Sequence, residues 1–296
     1  MALSVNTNVG AMAALQSLTS TNRSLETTQS RITTGLNVAS TKDDSAKYTV
    51  AQTLRGDIGK LSAVTSSLNN AKSVTDTAVA GAEQISDLLN QMKAKALEAS
   101  DAGLDDDSRV AITKDLLALK QQVSTIIDGS DFNGTNILKG DGSATAQGVS
   151  ALQSIASGAS ALTVGNQGYT TKATTALGDL ADDTDFAGID TTDPTNITAA
   201  AFSTATTGVI DKLDTFFGEV QDSLSTLGAA SRKIEGQLSF NSKLTDVVTS
   251  GIGNLVDADL AKESAKLQAL QVQQQLGVQA LSIANQAPQT ILSLFR

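Results

Sequence analysis

Apolar residues recur at alternating steps of three and four along most of this chain. Near its start, Ala11, Leu15, Leu18, Asn22, Leu25, Gln29, Ile32 and Leu36 keep that spacing with two polar members. Such a repeat is the seam along which one helix packs against another. A longer seam runs through Leu61, Val64, Leu68, Ala71, Thr75, Ala78, Ala82, Ile85, Leu89, Met92 and Ala96. Thr41 and Asp44 have capping-box spacing, so the pattern predicts a helix from Asp43 to Ala99, roughly 85 Å long at 1.5 Å per residue. Gly56, Gly59 and Gly81 inside it each cost about 1 kcal/mol relative to Ala, which packing must offset. After an acidic turn, Ile112, Leu116, Leu119, Val123 and Ile126 predict a shorter antiparallel helix. Asp105, Asp106 and Asp107 mark its start, where the helix dipole favours negative charge.

From 128 onward the period is lost. "DGSDFNGTNIL" reads as a turn and a short strand, and Gly, Ser, Thr and Asp dominate until Pro194. The expectation is a small, irregular strand-and-loop insertion, acidic and exposed. The period returns with Leu213, Phe217, Val220, Leu224, Leu227, Ser231, Ile234, Leu238, Asn241, Thr245, Val248, Ile252 and Leu255, a second long helix with Gly251 and Gly253 at its end. A last helix, about 257–286, carries Leu260, Leu267, Leu270, Val278 and Leu281, and Pro288 should kink or stop it. The order is short helix, long helix, variable middle, long helix, short helix. The fold expected is mainly α: a long antiparallel helical bundle of N- and C-terminal segments with a small β-hairpin or irregular insertion. Its parts would be a terminal-helix domain (1–42 with 256–296), a helical-bundle domain (43–138 with 199–255) and an exposed segment (139–198).

Composition supports narrow helical seams over a bulky globular core. The 296 residues include seven Phe, two Tyr and no Trp, His or Cys. A net charge of −10 without a basic patch argues against nucleic-acid binding. The missing Cys and His remove thiolate chemistry and the commonest zinc ligands. No basic n-region precedes an apolar run at the start, so no Sec-type signal is expected. The stretch from Gly142 to Thr171 lacks charge but is too polar to enter a membrane.

The motifs carry a resemblance. "MALSVNTNVGAMAAL" at the start, "RITTGLNVASTKDDSA" from Arg31 to Ala46, "FNG" at Phe132–Gly134 and "ANQAPQTILSLFR" at the end occur in this order. Together they resemble bacterial flagellin, the subunit of the flagellar filament, over about 1–138 and 200–296. The resemblance implies a secreted, extracellular structural protein that polymerises with itself, without enzymatic activity or cofactor. It implies a β-hairpin near the FNG turn, export unfolded through a type III apparatus with a chaperone, and assembly beneath a filament cap next to hook-junction proteins. A hook–filament junction protein, or an adhesin on a helical stalk, are the alternatives. Flagellins recognised by the mammalian innate receptor carry an Arg-x-Arg-Glu-Leu pattern where this chain has Gln91, Met92, Lys93, Ala94 and Lys95. Weak receptor recognition is therefore expected.

Other chemistry is thin. "GSDFNG" has Gly129 where a calcium loop needs its first Asp and Gly140 where it needs Glu. Gly140 and Gly142 lack the third glycine of a phosphate loop. Neither supports a metal or phosphate site. The carboxylates fall on helix surfaces and loops, which disfavours a hydrolase. The positions expected to carry function are seam residues: Leu15, Leu18, Leu25, Ile32, Leu260, Leu267, Leu270 and Leu281, together with the apolar tail Ile291, Leu292, Leu294 and Phe295. Burying that tail contributes roughly 6 to 12 kcal/mol, against about 10 to 20 kcal/mol to order its last ten residues. The tail, and with it both terminal helices, should order only when neighbouring copies supply contacts.

Overall fold

The structure, a computed structural model, describes residues 8–143, 147–156, 158, 160–182, 184–190, 192–203 and 208–294; the side chains of 287–294 lie outside the description. Helices dominate: α1 (Val9–Thr34), α2 (Ser45–Ala99), α3 (Asp106–Gly129), α4 (Tyr169–Leu177), α5 (Val209–Val256) and α6 (Leu260–Leu294). Two antiparallel two-stranded ladders complete the regular structure, β1 (Val149–Ala151) with β2 (Leu162–Val164) and β3 (Asp185–Phe186) with β4 (Ile189–Asp190). The chain divides into two compact units, 1–59 with 245–296 and 60–244.

In the 60–244 unit, the α2 seam read from the sequence is buried at every position from Leu61 to Ala96. It faces Ile112, Leu116, Val123 and Ile127 of α3 and Leu213, Phe216, Val220, Leu227 and Ile234 of α5 in one continuous core. Steps of three and four survive because each helix has a partner along its length. Asp105 caps α3 by accepting from the Ser108 amide at 3.0 Å. Hydrogen bonding to Ser108 holds its carboxyl below the usual range. Arg109 closes the preceding turn, donating from Nε to the Ala99 carbonyl at 3.0 Å and from Nη2 to those of Asp101 (2.9 Å) and Leu104 (3.1 Å).

The middle of the chain departs from the expected exposed insertion. Asp141, Asp179 and Asp190 are exposed, but Val149, Ala151, Leu162, Val164, Phe186, Ile189, Ile197 and Phe202 join the same core as α2, α3 and α5. The segment also contains α4, which lacks any sequence period long enough to announce it. Tyr169 on α4 is buried, edge-on to Phe216 with ring centroids 6.1 Å apart, and burial pushes its phenol up to about 12. Lys120, a surface residue by type, is buried on α3 because its ammonium donates to the Asp185 carbonyl. Lys212 donates to the Ala187 carbonyl at 2.6 Å, so two lysines hold the β3–β4 turn.

No strand forms at "TNIL". Phe132 and Thr135 close a single bridge around Asn133 (φ 53°) and Gly134 (φ 78°), a tight Asn-Gly turn rather than an extended hairpin. Gly81 of α2 packs against the residues on either side of this turn: a Cβ there would meet Ser130 Oγ at 2.2 Å and Leu138 Cδ1 at 2.9 Å. Gly81→Ala should therefore lower the urea midpoint, since overpacking of about 1 to 3 kcal/mol exceeds the helix-propensity gain of about 1 kcal/mol. Gly56→Ala, with open space at its Cβ, should leave the midpoint unchanged or raise it.

The other unit has a small core of Val38, Ala51, Ile252 and Val256, bordered by Leu36, Tyr48, Leu54, Ile58, Val248 and Leu255. α1 ends at Gly35, whose φ of 71° is the left-handed helix stop. The two short linkers are tied together: Leu36 bridges Asp257, the Asn37 amide donates to the Val256 carbonyl at 2.7 Å, and the Ala258 amide to that of Gly35 at 2.9 Å. α2 starts at Ser45, capped by Asp44, which accepts from the Lys47 amide at 3.0 Å. The box from Thr41 to Asp44 is not used, because Asp44 is itself the cap, while Asp43 closes the preceding turn by accepting from the Ala39 and Ser40 amides and the Ser40 hydroxyl.

Candidate assembly interface

α1 and α6 pack antiparallel. Arg31 pairs with Glu263 (3.2 Å), Gln274 donates to Asn22 (2.8 Å), and Leu18 Cδ1 comes within 3.3 Å of where a Cβ on Gly277 would sit. The inward positions of α1 are Ala11, Ala14, Leu18, Thr21, Leu25, Thr28 and Ile32; those of α6 are Glu263, Leu267, Leu270, Gln274, Gly277, Leu281 and Ala284. Both sets keep the three-four spacing. Gly277 leaves room for the Leu18 side chain opposite it. The polar pairs Arg31–Glu263 and Asn22–Gln274 add layers that hold only in this register.

This seam differs from the one read from the sequence. Leu18, Leu25, Ile32, Leu267, Leu270 and Leu281 face inward and are half-buried, as part of the pairing. Leu15 is 54% exposed, Leu260 49% and Val278 54%; all three lie off the inward face. Gln29 is exposed and yields its place to the buried Thr28, while Asn22 stays at the seam through Gln274, beside the buried Thr21. The reason is that α1 carries apolar residues on two faces, and a period alone does not say which face a single partner covers. Ile291, Leu292 and Leu294 fall within the backbone of α6, with side chains outside the described residues, and Phe295 lies outside them altogether.

Contrary to the expected stop at 286, α6 runs through Pro288 to Leu294. It starts at Leu260, capped by Asp259, whose Oδ1 accepts from the Ala261 and Lys262 amides at 3.0 and 3.1 Å. From Leu267 to Phe295 the sequence holds no charged residue. Three faces result. One is the seam with α1. A second, uncharged but polar, carries Gln268, Gln271, Gln275, Gln279, Ser282 and Gln286, all exposed. The third is an apolar stripe of Ala265, Ala269, Val272, Leu276 and Ile283, which the sequence reading missed because it followed one seam per helix. Val272 is 56% exposed, Leu276 58% and Ile283 69%, and on α1 Val9 and Met12 reach 75% and 65%. Each large aliphatic chain gains about 1.5 to 3 kcal/mol on full burial, and stripes of this kind mark an interaction surface. Among the described residues no helix is long and apolar enough to cross a membrane, so a bilayer-spanning role does not account for it. Nor do the described residues gather three His, Cys, Asp or Glu side chains that could hold a metal.

A mainly helical chain whose paired terminal helices present further apolar stripes defines a subunit built for packing against other helices. The comparisons name the family. Residues 5–143 match the bacterial flagellin N-terminal helical region and 210–295 the bacterial flagellin C-terminal helical region. The chain is 43% identical to "Flagellin FljK" of Caulobacter vibrioides, covering 99% of this chain and 98% of that protein. It is 35% identical to "Flagellin C" of Rhizobium meliloti, covering 99% of each. A crystal structure of Bacillus cereus flagellin aligns with a TM-score of 0.45 at 24% identity, over 58% of this chain and 86% of that one. The chain belongs to the bacterial flagellin family.

Proposed function

We propose that the α1–α6 pair is the part of this flagellin that polymerises, with the inward seam holding the two helices together and the apolar stripe of α6 meeting neighbouring copies. The chain is a structural subunit of the flagellar filament. The observation that carries the assembly reading is the exposed Val272, Leu276 and Ile283 on an uncharged stretch of helix. In this reading 1–42 with 256–296 form the filament core, 43–138 with 199–255 a helical-bundle domain, and 139–198 a variable surface-exposed segment. Relatives named flagellin along nearly the whole chain favour this over a junction protein or an adhesin stalk. The protein acts outside the cell and performs no catalysis; its family supports export with a chaperone and growth beneath a cap, next to hook-junction proteins.

The terminal helices order on assembly. Limited proteolysis of dilute monomer should remove the regions around α1 and α6 and spare the 60–244 unit, whereas filaments should resist at both ends. Resistant termini at low concentration would contradict this. Recognition by the mammalian innate receptor should be weak. Met92 is buried, Lys93 is paired with Asp214 and stacked 4.7 Å from the Phe217 ring centroid, and Lys95 is paired with Asp115 at 3.1 Å. A reporter-cell assay should give much lower potency than a flagellin with the Arg-x-Arg-Glu-Leu pattern; equal potency would refute it.

A further inference from the structure

Pro288 raises a question about α6. Proline has no amide hydrogen, so a helix that runs through position 288 leaves the carbonyl of Ala284, four residues earlier, without its usual donor. The helix nevertheless continues to Leu294. The missing donor comes from the far end of the sequence. The side-chain amide of Asn8 donates through Nδ2 to the Ala284 carbonyl at 2.7 Å. The same side chain caps α1, its Oδ1 accepting from the Ala11 amide at 3.0 Å. One side chain thus serves two helix irregularities at once: the free amides at the start of α1 and the carbonyl orphaned inside α6. The approach is close, since a Cβ added to the neighbouring Gly10 would lie 4.0 Å from Ala284 Cβ.

From this geometry we infer that Asn8 and Pro288 form a conditional joint: the last turns of α6 continue as a helix when the beginning of α1 is docked beside them. With alanine at 288, α6 would satisfy Ala284 by itself and extend regardless of α1. With proline, the extension depends on a donor that only the other terminus supplies. An undocked α1 leaves an unsatisfied carbonyl next to a residue that already disfavours helix, and the tail bearing Ile291, Leu292 and Leu294 unwinds. The two ends of the chain are thereby ordered together. Asn8 is a positioning residue: it acts on the tail through Ala284. This inference rests on the proposed assembly role of α1 and α6, because the tail's helix matters where copies pack.

The test is a double-mutant cycle in the full-length chain, read as the critical concentration for filament growth and as hydrogen exchange of the 289–294 amides within filaments. Asn8→Ser and Asn8→Asp both keep an oxygen to cap α1, and neither has the side-chain amide that reaches Ala284. Each should raise the critical concentration about tenfold, the effect of leaving a partly buried carbonyl unpaired, and speed exchange at 289–294. Pro288→Ala alone should assemble at least as well as the unmodified chain. In the Pro288→Ala background, Asn8→Ser should cost less than about threefold, with protection at 289–294 restored, because residue 288 now supplies the donor. An Asn8→Ser penalty of equal size in both backgrounds would overturn the joint, as would an Asn8→Ser variant that assembles and protects its tail normally. Failure of the unmodified chain to form filaments would instead overturn the assembly role itself. Far-ultraviolet circular dichroism of each monomer, unchanged by the substitutions, keeps a folding defect from mimicking either result.

Discussion

Leu276→Asp should abolish filament formation without altering the fold of the single chain. Leu276 is 58% exposed and off the α1 face, so within one chain it loses little. In a polymer the substitution removes a buried leucine and places an unpaired carboxylate in its position. The loss of about 2 kcal/mol of burial and a further few kcal/mol for the charge raises the critical concentration about a thousandfold. The control is Gln275→Asp, one position along the same helix on its polar face, which should assemble near the normal threshold. Sedimentation of polymer against total protein reads both. Equal behaviour of the two variants would mean that the stripe does not meet neighbouring copies.

Leu18→Asp and Leu270→Asp act on the inward seam instead. Leu18 packs against Gly277, and Leu270 is half-buried on the inward face of α6. A carboxylate at either position separates α1 from α6, so the core of the filament has no paired helices to build on. Assembly should be lost to the same extent, while the urea transition of the 60–244 unit stays in place, its core sharing no residue with the seam. Normal polymerisation of either variant would remove the seam from the account. A lowered urea midpoint would show that the damage had spread to the folded bundle.

The contrast between the two units explains which features were legible in the sequence. Within the 60–244 unit the period is informative because neighbours cover one face of α2 and α5: every predicted seam position from Leu61 to Ala96 is buried, and on α5 Leu213, Val220, Leu227 and Ile234 are. In α1 a single neighbour covers a single face, and Ala14, Thr21 and Thr28 hold the inward positions while the larger Leu15 faces solvent. Size misled the reading there, since close helix packing selects small residues. α4 is not announced by the sequence, and the two short ladders are legible only as an irregular strand-and-loop insertion, because elements of two, three and nine residues bury only a few apolar side chains each, too few to show a period. Pro288 signalled a helix stop by local rules, and the rule failed because its orphaned carbonyl has a partner 276 positions away. Lys120 was hidden for a similar reason: its ammonium ends on a carbonyl 65 residues further along the chain.

The central claim is that the terminal helices of this flagellin are assembly contacts. Electron microscopy of the purified full-length chain, after raising its concentration or adding filament seeds, tests it most directly beside the Leu276→Asp variant. Long tubes from the unmodified chain and none from the variant are the predicted result. Discrete oligomers or monomers from the unmodified chain, or tubes from both, would contradict it.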